Sequence, residues 1–236
     1  MSDPAATETD TRQRVLESAT RLFAERGFRE TTVHEICEQA GANIAAVNYY
    51  FGSKEKLYDA AWRYAYEQTT EARSRLMEQA GDESPEEQIR VFVRGRLDDV
   101  SSRGPASYFW RLLEHEHHDP TGAHEAIVRE VFRPMGIWLA GRIAEILDVP
   151  ASAMLLKLSL FSLIAPMGFL TTHRPIIRRV FGHDLLEPDD CSVLYDHIMR
   201  FFFAGLRDTR QALEEGSIAR PLAEPAADPK SLLEDD

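Results

Sequence analysis

Asn48 and Tyr49 are the side chains in this sequence best suited to meet base edges in a DNA groove. Around them, Asn43, Thr32, Tyr50 and Lys54 offer amide, hydroxyl and ammonium groups that can position a protein on phosphates. Ile44 and Ala45 complete the set. A small-residue first turn lets a helix backbone enter the major groove, which is wide enough for one helix.

A second cluster, Glu114-His115-Glu116-His117-His118-Asp119, brings together up to six metal-capable side chains. Metal sites on helices take ligands at i and i+3 or i+4. Glu114 with His117 or His118, and His115 with His118, satisfy that spacing. No HExxH occurs, however, and the cluster precedes a turn, where charged residues usually face water. A solvated turn is the preferred reading. A metal-responsive regulator is the alternative, and a metal-dependent enzyme, resting on the same cluster, comes third. No Ser-His-Asp or Cys-His arrangement can be argued from the spacing, so the sequence implies no catalytic residue, no metal and no cofactor.

Two short helices must present the first set of residues. Thr32-Val33-His34-Glu35 has the form of a capping box, opening a helix with Val33, Ile36, Cys37 and Ala40 on one apolar face. Gly41 permits a sharp turn, and Asn43 can cap a second helix. There Val47, Tyr50 and Phe51 point inward, leaving Asn43, Ile44, Ala45, Asn48 and Tyr49 outward. Gly52-Ser53-Lys54-Glu55-Lys56 then opens a third helix, with a lysine where a phosphate could lie. This is the pattern of a helix-turn-helix.

The stretch from Thr11 to Tyr58 resembles the DNA-binding domain of the TetR family of transcriptional regulators. The matching pieces, in order, are Ala19-Thr20-Arg21-Leu22-Phe23-Ala24-Glu25-Arg26-Gly27-Phe28, Thr31-Thr32-Val33, Ala40-Gly41 and Tyr49-Tyr50-Phe51-Gly52-Ser53-Lys54-Glu55-Lys56-Leu57. The segment Asn43-Ile44-Ala45-Ala46-Val47-Asn48 departs from the Ser-Lys-Gly and Tyr of many members and resembles the branch that includes CecR-type regulators. Glu114 through Pro134, with Asp119-Pro120-Thr121 at a turn, and Phe202-Phe203-Ala204-Gly205-Leu206 extend that resemblance. It implies an all-α homodimer with a two-helix dimer seam and a ligand cavity in the larger domain. It further implies binding to an operator, usually repression, and release by a small-molecule effector.

The formal net charge of −12 argues against wrapping long nucleic acid. Between Thr11 and Lys56, however, seven basic residues face six acidic ones, so the excess negative charge lies downstream. The two cysteines, Cys37 and Cys191, suggest neither a disulfide framework nor a zinc pair. The N-terminus shows no basic segment followed by an apolar one, which with the cysteine usage fits a reducing cytoplasm.

The organisation expected from the chain is a flexible arm over 1–10, a helix-turn-helix domain over 11–57, a helical effector-binding and dimerisation domain over 58–213 and a disordered acidic tail over 214–236. Helices are predicted from about Thr11 to Arg26, from Ser53 to Gln79, over Pro85–Ser102, over Ala106–His117 and from Gly122 to Leu147 with a bend at Pro134. Ala151–Thr172 is apolar on nearly every side and broken near its end by Pro166. Lys157 leaves it an uncharged run shorter than the ~20 residues a membrane span needs. A helix buried on all faces, in a core or a dimer seam, is expected instead. His173–Asp190 reads as a basic loop, and Cys191 to about Leu213 as the last helix. Phe109, Trp110, Trp138 and Phe169, with His173 as a polar group, are the candidate walls of an apolar effector pocket.

Overall fold

The computed structural model describes residues 4–79, 81, 83–102, 104–121, 127–148 and 153–217, and among them every regular element is helical. The tail from 218 onward, and the expected start of a helix at Gly122, lie outside the described residues. The chain divides into two compact units, Met1–Ala72 with Ser102–His124, and Arg73–Ser101 with Glu125–Asp236.

In the first unit α1 (Pro4–Glu30) begins ahead of the expected Thr11, so the arm expected over 1–10 is helical from Pro4. Proline is tolerated there because a first turn leaves its amides unpaired in any case, and Ala5 and Ala6 are strong helix formers. The helix breaks at Gly27, whose φ of 82° and ψ of 174° suit only glycine. Thr31 then closes the corner, its hydroxyl donating to the Gly27 carbonyl at 2.8 Å. Helices α2 (Val33–Ala40) and α3 (Ile44–Tyr50) follow, and α4 (Lys54–Gln79) runs from the first unit into the second in sequence. A 3-10 turn over Pro105–Ser107 leads into α6 (Tyr108–His118), which packs on α1. Val15, Ala19, Leu22 and Phe23 of α1 are fully buried, as the heptad-like spacing predicts. From Phe23 a ladder of edge-on rings passes through Tyr58 and Trp62 to Phe109 and Trp110, with neighbouring centres 4.8–6.2 Å apart.

The second unit is a bundle of α5 (Pro85–Ser101), α7 (Arg133–Leu147), α8 (Ala153–Thr172), α9 (Arg174–Phe181) and α10 (Pro188–Glu214). Its core is Ile89, Val93 and Leu97 against Leu139, Ile143 and Leu147, with Leu156, Leu163, Met199 and Leu206 closing it. The bend expected at Pro134 is a π-helical turn over Val128–Phe132, after which Pro134 sits in the first turn of α7. The helix is continuous there, so the missing amide of Pro134 removes a backbone bond just where the π-turn shifts the ladder.

Two expectations for this unit are corrected. The stretch 173–190 is not a loop throughout, because Arg174–Phe181 forms an eight-residue helix ended by Gly182 at φ 79°. Pro175 near the start and Gly182 just past the end are the local signals that mark it. Arg174 pairs with Asp184 at 2.7 Å and ties the far side of the turn. Burial alone would raise the Asp184 carboxyl, but the Leu186 amide and Arg174 together hold it below its usual value.

Within a single chain α8 is covered on one side only, which leaves the expected dimer seam open. Leu156, Leu160, Leu163, Met167 and Leu170 face the core, while Met154, Leu158, Phe161 and Phe169 are exposed on the other side. It also runs unbroken past Pro166 to Thr172. Pro166 and Ser162, whose carbonyl loses its helical donor, are both exposed, so water can take the vacant bond. By length and hydropathy Met154–Thr172 could also cross a membrane, but one such helix, packed in a bundle on α7, is weak grounds for that.

Candidate nucleic-acid interface

The local chemistry around Thr32 to Gly52 fixes the two helices as the sequence predicts. The Thr32 hydroxyl accepts the Glu35 amide at 3.2 Å, and the Glu35 carboxylate accepts the Thr32 amide at 2.9 Å. The Thr32 hydroxyl, donating to the Glu35 carboxylate at 2.7 Å, then the Thr32 amide, then the Arg26 guanidinium at 2.8 Å, hold the Glu35 carboxyl below its usual value. Gly41 takes φ 60°, in the left-handed region, and ends α2 with its amide turned back on Glu38. Asn43 is extended, and its Oδ1 accepts the Ala46 amide at 2.9 Å, starting α3. Val47 and Phe51 are the buried anchors of that helix.

The remaining residues of α3 form one outward stripe. Ile44 is 50% exposed and Tyr49 74%, with Ala45 and Asn48 exposed between them. Tyr50 is half-buried, and its ring meets Tyr49 edge-on with centres 5.0 Å apart. Asn43 and Thr32 are exposed at the caps, although each oxygen just named is spent on a helix amide. Lys54 is placed less openly than its sequence position implies. It is half-buried, with Nζ 4.3 Å from the centre of the Phe28 ring. Burial lowers the Lys54 pKa, while Glu55, Glu30 and Glu35 act to raise it. Sequence reasoning passed over two cations beside the motif, Arg12 and Lys56. Both are exposed, and with Arg63 they line a crevice of about 610 Å³ between α1 and α4. Arg12 lies 5.3 Å from the Phe51 ring centre, a contact between α1 and α3 that no local spacing announces.

The candidate pocket residues are divided between the two units. Phe109 and Trp110 belong to the ring ladder of the first unit, and Trp138 lies in the second with its ring centre 6.0 Å from that of Phe92. Phe169 and His173 are exposed and stacked on each other at 4.4 Å. Phe169 lines a groove of about 590 Å³ between α8 and α10, to which Ile177 and Phe181 of α9 also contribute.

The cluster at 114–119 is a structural joint rather than a solvated turn. Glu116 is 1% exposed and accepts the Tyr58 hydroxyl at 3.3 Å and the Thr121 amide at 2.7 Å. Asp119 pairs with Arg29 at 2.8 Å. Burial, with the Glu116 carboxylate nearby, pushes the Tyr58 hydroxyl well above the ordinary phenol value. Among the described residues no three His, Cys, Asp or Glu side chains converge as a metal site requires.

His115 closes the joint against the break in α1. A Cβ at position 27 would stand 3.0 Å from His115 Nδ1. Gly27→Ala is therefore expected to cost about 1–3 kcal/mol from backbone strain alone, lowering the thermal midpoint by roughly 2–4 °C per kcal/mol. An unchanged midpoint in calorimetry would show that the corner relaxes freely.

A capped pair of short helices with an amide, an aromatic and small apolar groups on its open face defines a helix-turn-helix DNA-binding protein. Comparison with known proteins agrees. Residues 15–61 match the bacterial regulatory proteins of the tetR family, and residues 85–206 match the C-terminal domain of the HTH-type transcriptional dual regulator CecR. The chain belongs to the TetR family of transcriptional regulators, with a larger domain of the CecR type. It is similar to the HTH-type transcriptional regulator BetI of Stenotrophomonas maltophilia, at 33% identity over 99 residues, or 42% of this chain and 50% of that protein. The chain spans about half the length of the curated relatives it matches at this level. Among solved structures, a TetR-like regulator from Rhodococcus sp. RHA1 superposes with a TM-score of 0.61 at 21% identity, covering 84% of this chain and 96% of that one. The regulator FadR from Bacillus subtilis, in complex with stearoyl-CoA, gives 0.61 at 14% identity, covering 80% and 96%. Both likenesses show the all-α fold.

Proposed function

We propose that the chain is a cytoplasmic repressor that binds an inverted-repeat operator as a homodimer and is released by a small, largely apolar effector. The observation that carries this reading is the open stripe of α3, held outward by caps on both short helices and anchored through the buried Val47 and Phe51. Residues 11–57 are the part that reads DNA, and 58–213 the part that dimerises and takes the effector. Asn48 and Tyr49 meet base edges, while Thr32, Asn43, Tyr50 and Lys54 sit where the phosphates pass.

The dimer is supported by the apolar faces that α8 and α10 leave uncovered, Phe161 on one and Phe201 on the other. A two-fold axis through such a face makes it self-complementary, and operator symmetry mirrors protein symmetry. For the effector, support comes from the family and from the ring-rich interior, since pockets in helical bundles are mostly apolar. A ligand shifts an equilibrium only by binding one conformation better, and α4 is the helix common to both units through which such a preference can act.

The test is which DNA the purified protein protects, beginning upstream of its own coding sequence. An inverted repeat is expected, with half-site centres about 34–36 Å or a multiple of that apart. Apolar and aromatic compounds are then screened for release of the complex. Uniform binding to all sequences would overturn the reading as a regulator. Failure of every compound to release DNA would overturn the effector.

A further inference from the structure

On the reading that α3 enters the major groove, we infer that this helix selects A·T pairs, with thymine methyl groups against Ile44 and Ala45 and an adenine on Asn48. From Ile44 to Tyr50 it carries no Arg, Lys, Asp, Glu or Gln. Guanine is specified chiefly by Arg or Lys on O6 and N7, and cytosine by a carboxylate on N4, so this helix lacks the usual readers of both.

What its open face does carry suits the other pair. Asn donates to and accepts from the N6 and N7 edge of adenine, and aliphatic groups meet the thymine C5 methyl. Asn48 is exposed, four residues after Ile44 and so on the same face. Ile44 opens the helix and is 50% exposed, an apolar group in water that gains by covering another apolar group. Asn43 is not an equivalent reader, because its Oδ1 already accepts the Ala46 amide. From Ile44 to Asn48 the helix rises about 6 Å, close to two base-pair steps of about 3.4 Å. The methyl and adenine contacts therefore fall about two pairs apart within one half-site.

The experiment is a selection from a random DNA pool with the full chain, followed by operators in which single thymines of the half-site are replaced by deoxyuridine. That exchange removes one methyl and leaves the protein untouched. A·T pairs about two steps apart are expected at the core of each half-site. Uracil at one or two of those positions should weaken binding about fourfold per methyl, from the ~0.8 kcal/mol of one buried methyl-sized group. Ile44→Ala should bind the thymine operator more weakly than wild type and show little further loss on the uracil operator. An enriched half-site built of G·C pairs, or affinity indifferent to uracil at every position, would overturn this inference and leave DNA reading intact. A pool with no enriched sequence would overturn the reading of α3 and this inference with it.

Discussion

Replacing Phe161 and Phe201 together by aspartate should leave a folded monomer in light scattering at micromolar concentration, with operator affinity reduced at least a hundredfold. The two rings are 64% and 73% exposed, so their removal disturbs no core. Phe201 lines the groove between α8 and α10, and Phe161 continues the open face of α8. Burying one such ring is worth about 1.5–3 kcal/mol, and a symmetric dimer buries four, or roughly 6–12 kcal/mol in all. A micromolar dimer is held by only about 8 kcal/mol, so losing the rings and burying four carboxylates in their place cannot leave it intact. Unchanged molecular mass, with the circular dichroism of the wild type, would move the dimer elsewhere.

Asn48→Ala combined with Tyr49→Ala should erase the preference for operator over random DNA while sparing the fold. Each base contact of this kind is worth about 1–3 kcal/mol, and two residues in each of two half-sites give a loss of roughly a thousandfold or more. Both side chains are exposed, and surface changes of this kind usually stay within about 0.5 kcal/mol of stability. Weak, salt-dependent binding through the remaining cations should persist, because it does not depend on sequence. Comparison of operator and scrambled DNA at one salt concentration decides it. A variant as selective as the wild type would remove α3 from base reading.

The parts of this molecule legible in the sequence are those governed by neighbours in the chain. The Thr32–Glu35 box, the Gly41 turn and the Asn43 cap each close within three or four residues, so their spacing predicts their geometry. Glu116 was opaque because its partner Tyr58 is 58 residues away, and a carboxylate between histidines looks solvated until a distant helix covers it. Lys54 stands where a phosphate could lie, yet Phe28, across the corner at Gly27, draws its ammonium over a ring. For α8, composition shows apolar residues on every side but not which side the rest of the chain covers. The pocket residues were chosen as aromatics on predicted helices, which says nothing about whether Phe109 and Trp138 share a compact unit.

The division of labour within α3 also bears on how such a protein can change. Val47 and Phe51 hold the helix and Asn43 starts it, so Ile44, Ala45 and Asn48 carry little structural duty. If these three positions read the operator as proposed, substitution there would alter what is recognised at almost no cost in folding. A duplicated copy could therefore drift to a new set of genes through intermediates that all fold, and a laboratory library confined to the same three positions could follow the same route.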